Sequence, residues 1–130
     1  TCALPISRFF AEVNAPGYNT SFYLLGWTPA TSDAHNALFN LAGTRDGTRG
    51  IFNNGGYSSP RLDDLISRIA VETNQAARQG LITEAGKVIQ NDVGYIPLHQ
   101  QQIVWAVRQG WNVVQTADNY IQLRFVRQGQ

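Results

Sequence analysis

Asn53-Asn54-Gly55-Gly56-Tyr57-Ser58-Ser59-Pro60-Arg61-Leu62-Asp63 is where the chain changes character. Before Ser59 the residues favour turns, with paired amides and paired glycines. After it the apolar spacing becomes helical. Ser59 suits an N-cap, and Pro60 suits the first helical position, where its missing N–H costs nothing. Leu62, Leu65, Ile66, Ile69 and Ala70 then fall on one face. The link Glu72-Thr73-Asn74 is short, and Asn74 is a second cap. A second helix follows with Ala77, Leu81, Ala85, Val88, Ile89 and Val93 inward, ended by Asp92-Val93-Gly94. Two helices on so short a link predict a helical hairpin.

Upstream, residues 43–59 read as a glycine-rich loop, with Gly43, Gly47, Gly50, Gly55 and Gly56. A loop this long inside a domain is usually functional or mobile. Ser32 or Asp33 is positioned to cap a short helix running to about Leu41, with Ala34, Ala37, Leu38 and Leu41 at spacings of three and four. Ser21 to Trp27 reads as a central strand, apolar on both faces. Phe9 to Asn14 reads as a short strand closed by Ala15-Pro16-Gly17. Thr1 to Ser7 resembles the translation of a common sequencing-library adapter, so residues 1–8 are expected to be a non-native leader. Downstream, Tyr95–His99, Ile103–Arg108 and Tyr120–Val126 read as strands, the last from the alternation of Ile121, Leu123 and Phe125 with Gln122 and Arg124.

Composition narrows the function. The 130 residues carry ten Lys+Arg, nine of them Arg, against nine Asp+Glu, a net charge of +1. A dedicated nucleic-acid binder normally carries a basic excess, so none is expected here. No apolar run approaches the roughly 20 residues that span a bilayer. Charged residues are 15% of the chain, against about 25% in ordinary soluble domains, and amides fill the difference. The single cysteine, Cys2, can form neither an internal disulfide nor a thiolate metal site.

Aromatics and amides on loops suit polar organic ligands, and Trp27, Tyr57, Asn53 and Asn54 lie on or beside loops. The same residues also fit core and turn roles. Catalysis finds less support. A nucleophile needs a base within hydrogen-bond reach, and the candidates are Ser58 or Ser59, His35 or His99, and Asp33 or Asp63. No Gly-x-Ser-x-Gly elbow is present, and Ser59 and Asp63 are explained by capping and the helix dipole. Asp33-Ala34-His35 offers two metal donors and no third, so no metal site, catalytic residue or cofactor is expected.

The order of segments is more specific than any one of them. Gly26-Trp27, the Asp33-capped helix, Asn53 through Asp63, and Tyr95-Ile96-Pro97-Leu98-His99 follow one another in a series. Across residues 9–127 this series resembles the C-terminal part of the extracytoplasmic solute-binding proteins of peptide and nickel ABC importers.

The resemblance implies an α/β fold: a partial lobe of a type II periplasmic-binding-protein fold, a mixed sheet with a helical hairpin. Residues 9–118 would belong to the C-terminal lobe, and residues 119–130 would form a terminal strand returning to the other lobe. The implied role is capture of a peptide or other small polar solute between two lobes that close by hinge motion, followed by delivery to permease subunits. The implied location is periplasmic or extracytoplasmic. Trp27, Thr28, Ala30, Asp33, Asn53 and Tyr57 match positions in or near the ligand cleft. In peptide-binding members an acidic residue three places after the Trp pairs with the ligand's amino terminus. Ala30 stands at that place, and Asp33 matches a second acidic position. Two other function classes stay open from the residues: a small serine or histidine hydrolase, and a stand-alone interaction domain.

Overall fold

A computed structural model describes residues 6–14 and 22–129. Among the described residues the four α-helices are α1 (Ile6–Val13), α2 (Ala34–Ala37), α3 (Pro60–Val71) and α4 (Gln75–Asn91). A single π turn, Leu38–Ala42, continues α2. The sheet among the described residues is one antiparallel pair, β1 (Trp111–Asn112) with β2 (Arg127–Gln128), in the register Trp111↔Gln128 and Asn112↔Arg127.

The helical hairpin forms as its apolar spacing and the Asn74 cap predict. Ser59 holds the N-cap position before Pro60 in extended conformation, but its side chain makes no capping bond, contrary to expectation. Asn74 Oδ1 accepts from Ala77 N at 2.9 Å, which fixes the start of α4. Leu62, Leu65, Ile66 and Ile69 of α3 are fully buried against Ala85 and Val88 of α4 and Ala42 of the π turn. Each large aliphatic side chain buried this way contributes about 1.5–3 kcal/mol of transfer free energy. Ala70, Ala77 and Val93 lie outside this core, contrary to the sequence reading, and all three are exposed. The two helices meet along a narrower stripe than the apolar spacing suggests.

The end of α4 has a specific geometry. Val93 N donates to Gln90 O at 3.3 Å, and Gly94 N donates to Ile89 O at 3.1 Å. These two bonds are the Schellman pair, whose left-handed position is usually glycine. Here that position is Val93, at φ 53°. Gly94 sits one place later, against the Tyr57 ring, where a Cβ would come within 2.8 Å of ring carbons.

The loop over residues 43–59 is densely bonded. The π turn frees carbonyls that a continuing helix would satisfy. Gly50 N donates to Phe39 O at 2.9 Å, Phe52 N to Asn40 O at 3.1 Å, and the Tyr95 hydroxyl to Leu41 O. The loop therefore folds back onto the end of the helix that precedes it. Gly50 makes this approach possible, since its φ is +65° and a Cβ would lie 2.3 Å from Gly43 O. Thr44 N donates to Asp63 Oδ1 at 2.9 Å and ties the loop to the first turn of α3.

The strand expectations are corrected. Phe9–Val13 belongs to α1, because Phe9 and Val13 repeat at helical spacing and Arg8 pairs with Glu12 one turn on, at 3.8 Å. Of the expected leader, residues 1–5 lie outside the described residues and residues 6–8 form the first turn of α1. Residue 21 and the turn Ala15-Pro16-Gly17 also lie outside them. Residues 22–29, 95–99 and 103–108 carry no ladder, and Leu123–Phe125 is a 3-10 turn. A ladder needs a neighbouring strand for its N–H and C=O groups, and among the described residues the one ladder is the antiparallel β1–β2 pair, which stands in place of the expected mixed sheet.

Candidate ligand-binding site

Trp27 is half-buried at the edge of α2. Its Nε1 donates to Asn36 Oδ1 at 3.1 Å, and its ring lies tilted against Phe52 with centroids 5.0 Å apart. Phe52 keeps 45% of its surface exposed. The pair is a polarised aromatic edge that remains open to a solute. Phe52 stands there because its backbone N–H is bonded to the π turn.

Asn53, next in the chain, is buried and fully engaged. Its Nδ2 donates to Gly43 O at 2.9 Å and to Tyr57 O at 2.6 Å, and its Oδ1 accepts from Tyr57 N at 3.1 Å. The side chain closes residues 53–57 into a fixed turn and joins it to the start of the loop. Tyr57 packs edge-on against Tyr95 and donates its hydroxyl to Asp92 Oδ2 at 2.6 Å. Burial, and then the bond to the Asp92 carboxylate, push its phenol above the ordinary value of 10.

A cavity of about 420 Å³ opens beside this loop, lined by Asn14, Arg45, Gly47, Ile51, Phe52 and Asn54. Asn54 is buried, donates to Asn14 Oδ1 at 2.7 Å and accepts from Arg45 Nη2 at 3.0 Å. Arg45 also donates from Nη2 to Ile51 O at 2.9 Å and from Nε to Gly50 O at 3.3 Å. The cavity thus combines two apolar side chains with a guanidinium and two amides, the composition of a small polar-ligand pocket.

Asp33 caps α2, accepting from His35 N at 2.9 Å. Arg78 Nη2 reaches both of its carboxylate oxygens, at 3.1 and 2.8 Å. The backbone bond first, and the Arg78 bond second, hold its carboxyl below the ordinary value of 3.8. Thr28 and Ala30 are exposed on the segment between Trp27 and α2. Of the six residues singled out in the sequence, Trp27, Thr28, Ala30 and Asp33 lie on the approach to α2, and Asn53 and Tyr57 on the loop that brings Phe52 to Trp27. Phe52, Arg45 and Asn14 escape a reading by motif. The apolar pair Ile51-Phe52 inside a glycine-rich loop is the signal that points to it.

The hydrolase candidates have separate partners. Ser58 Oγ lies 3.1 Å from Thr44 Oγ1, and His99 Nε2 lies 2.9 Å from Gln101 Oε1. Among the described residues no group of three or more His, Cys, Asp or Glu side chains could hold a metal ion. No described helix is long and apolar enough to cross a membrane.

The chain is 27% identical over 107 residues to the glutathione-binding protein GsiB of Shigella dysenteriae serotype 1. It is 29% identical over 108 residues to GsiB of Escherichia coli strain K12. Both alignments cover 80% of this chain and 21% of the relative, so the chain spans about a fifth of the length of the curated relatives it matches. No family profile matches the chain, and no solved structure does.

Proposed function

We propose that this chain is part of one lobe of an extracytoplasmic solute receptor serving an ABC importer, and that it contributes to capturing a small peptide-like solute. The observation that carries the reading is the similarity to two glutathione-binding proteins over 80% of the chain. The receptor acts by capture and release, without bond chemistry, and hands its solute to permease subunits from the periplasmic or extracytoplasmic side. In this reading Trp27, Thr28 and Ala30 face the solute. Asn53 and Tyr57 position the loop that presents Phe52. An amine approaching Asp33 meets a carboxylate already paired with Arg78, which favours solutes that do not depend on an amine contact there.

Two further features support a lobe-fragment reading. Phe22, Leu24, Val104 and Leu123 are each 65–82% exposed, and large apolar side chains this open are suited to contact with further protein. The unladdered segments have the composition of strands.

The test is a thermal-shift screen of the protein from its uninterrupted reading frame, against glutathione and a panel of short peptides. A solute at about 100 times its Kd raises stability by about 2.7 kcal/mol, which shifts the transition by several degrees. A panel that produces no shift counts against the reading. Turnover of any peptide that is abolished by Ser58→Ala or His99→Ala would favour the hydrolase instead.

A further inference from the structure

We infer that Arg45 is a carboxylate-binding residue of this receptor and that the solute it captures carries a free carboxylate; the inference rests on the receptor reading above.

Two arginines stand four residues apart in the same loop and have opposite surroundings. Arg49 is neutralised, with Nη2 3.4 Å from Asp46 and 3.5 Å from Asp63. Arg45 has no carboxylate partner among the described residues. Its bonds go to two backbone carbonyls and one side-chain amide, all uncharged. The guanidinium is thereby held in place while its charge is left uncompensated. A guanidinium is always charged. Its Nε–H and both Nη2 N–H groups are engaged within the loop, while Nη1 has no acceptor among the described residues, so the Nη1 N–H groups remain to donate to one oxygen of a ligand carboxylate.

The surroundings fit a small organic acid. Arg45 lines the cavity of about 420 Å³ together with Ile51 and Phe52. Those side chains give an apolar wall, and Phe52 joins the cavity to Trp27. Asn54 bridges Arg45 to Asn14, so the polar end of the cavity is a connected set of bonds. Holding the guanidinium in advance reduces the side-chain entropy lost when a ligand binds. A bare phosphate would use the same charge, but it would leave Ile51 and Phe52 without a contact. A carboxylate on a short organic chain uses both.

The test is calorimetric titration of the protein from its uninterrupted reading frame with glutathione and short peptides, each as the free acid and as the carboxamide. The free acids are expected to bind at least tenfold more tightly than the amides. Arg45→Gln is expected to erase that preference, and Arg45→Lys, which keeps the charge but not the bonds that hold the guanidinium in place, to retain part of it. Arg61→Gln, on the exposed Arg61–Glu84 pair of the hairpin, is expected to leave it unchanged. The acid-to-amide comparison on the unmodified protein needs no variant, so a misfolded Arg45→Gln does not spare the proposal. Equal binding of acid and amide overturns the Arg45 assignment while leaving the receptor reading intact. Binding of neither form by any probe overturns both. Tighter binding of inorganic phosphate than of every acid overturns the assignment to a carboxylate.

Discussion

Arg78 donates from one nitrogen to both carboxylate oxygens of Asp33, at 3.1 and 2.8 Å, across 45 residues of sequence. The same guanidinium donates from Nε to Ile69 O at 3.1 Å. One side chain on α4 thus ties the start of α2 to α3. Asp33→Ala removes both the cap of α2 and this tie. The expected loss is about 1–2 kcal/mol, roughly 1 from the cap and less than 1 from a partly exposed pair. Asp33→Asn keeps a capping oxygen and should cost less than half as much. Chemical denaturation of the two variants checks the ratio.

The pH dependence has a definite sign. Asp33 and Asp118 titrate below their ordinary value of 3.8, and Asp46 is lowered to about 2. The Arg49 backbone bond, then the Thr48 backbone and hydroxyl bonds, lower Asp46, and the Thr116 hydroxyl and then Tyr120 N–H lower Asp118. A carboxyl that is more acidic in the folded state takes up its proton first in the unfolded chain. Its contribution is therefore complete above about pH 4 and is lost as pH falls toward 2. Stability measured from pH 5 to pH 2 should fall, and Asp46→Asn should flatten that fall. A slope unchanged by the variant contradicts this account of Asp46.

Asn53→Ala leaves Gly43 O and the Tyr57 backbone groups without their bonds in a buried site. The expected cost is about 2–4 kcal/mol, since each buried group left unsatisfied costs about 1–3. Asn53→Asp keeps the shape but turns a carboxylate oxygen toward two carbonyls, and should destabilise at least as much. Far-UV dichroism during thermal unfolding distinguishes both from a neutral surface change.

Val93→Gly is expected to stabilise the chain by about 0.5–1 kcal/mol. A β-branched residue at φ 53° is strained, by about 1–2 kcal/mol, and glycine returns part of that gain through its own unfolded-state entropy. Gly94→Ala, one residue on, should do the opposite, because its Cβ meets the Tyr57 ring. A denaturation midpoint moving up for the first and down for the second confirms the Schellman reading of this terminus.

The helical hairpin was legible because its information is local. Ser59-Pro60, Asn74 and the repeat of Leu62, Leu65, Ile66 and Ile69 each act within a few residues. Asp33 as a cap was legible for the same reason. The strands were not, because strand composition at residues 22–27 or 103–108 makes a ladder only where a neighbour supplies the other edge. β1–β2 joins Trp111 to Gln128, two positions whose pairing no local pattern marks. In the site, Trp27 is legible from sequence as an aromatic beside a loop. Phe52 and Arg45 owe their places to the π turn and to carbonyls at Gly50 and Ile51, and those are properties of folded backbone that the spacing of side chains does not encode.

In the proposed function the Trp27–Phe52 edge belongs to a surface that captures a small peptide-like solute. Titration calorimetry of the protein from its uninterrupted reading frame, wild type against Trp27→Ala, decides it. The account predicts saturable one-to-one binding of a short peptide or glutathione, weakened at least tenfold by the variant, with the solute recovered unchanged. Identical affinity in the two proteins, or no saturable binding by the wild type, would contradict it.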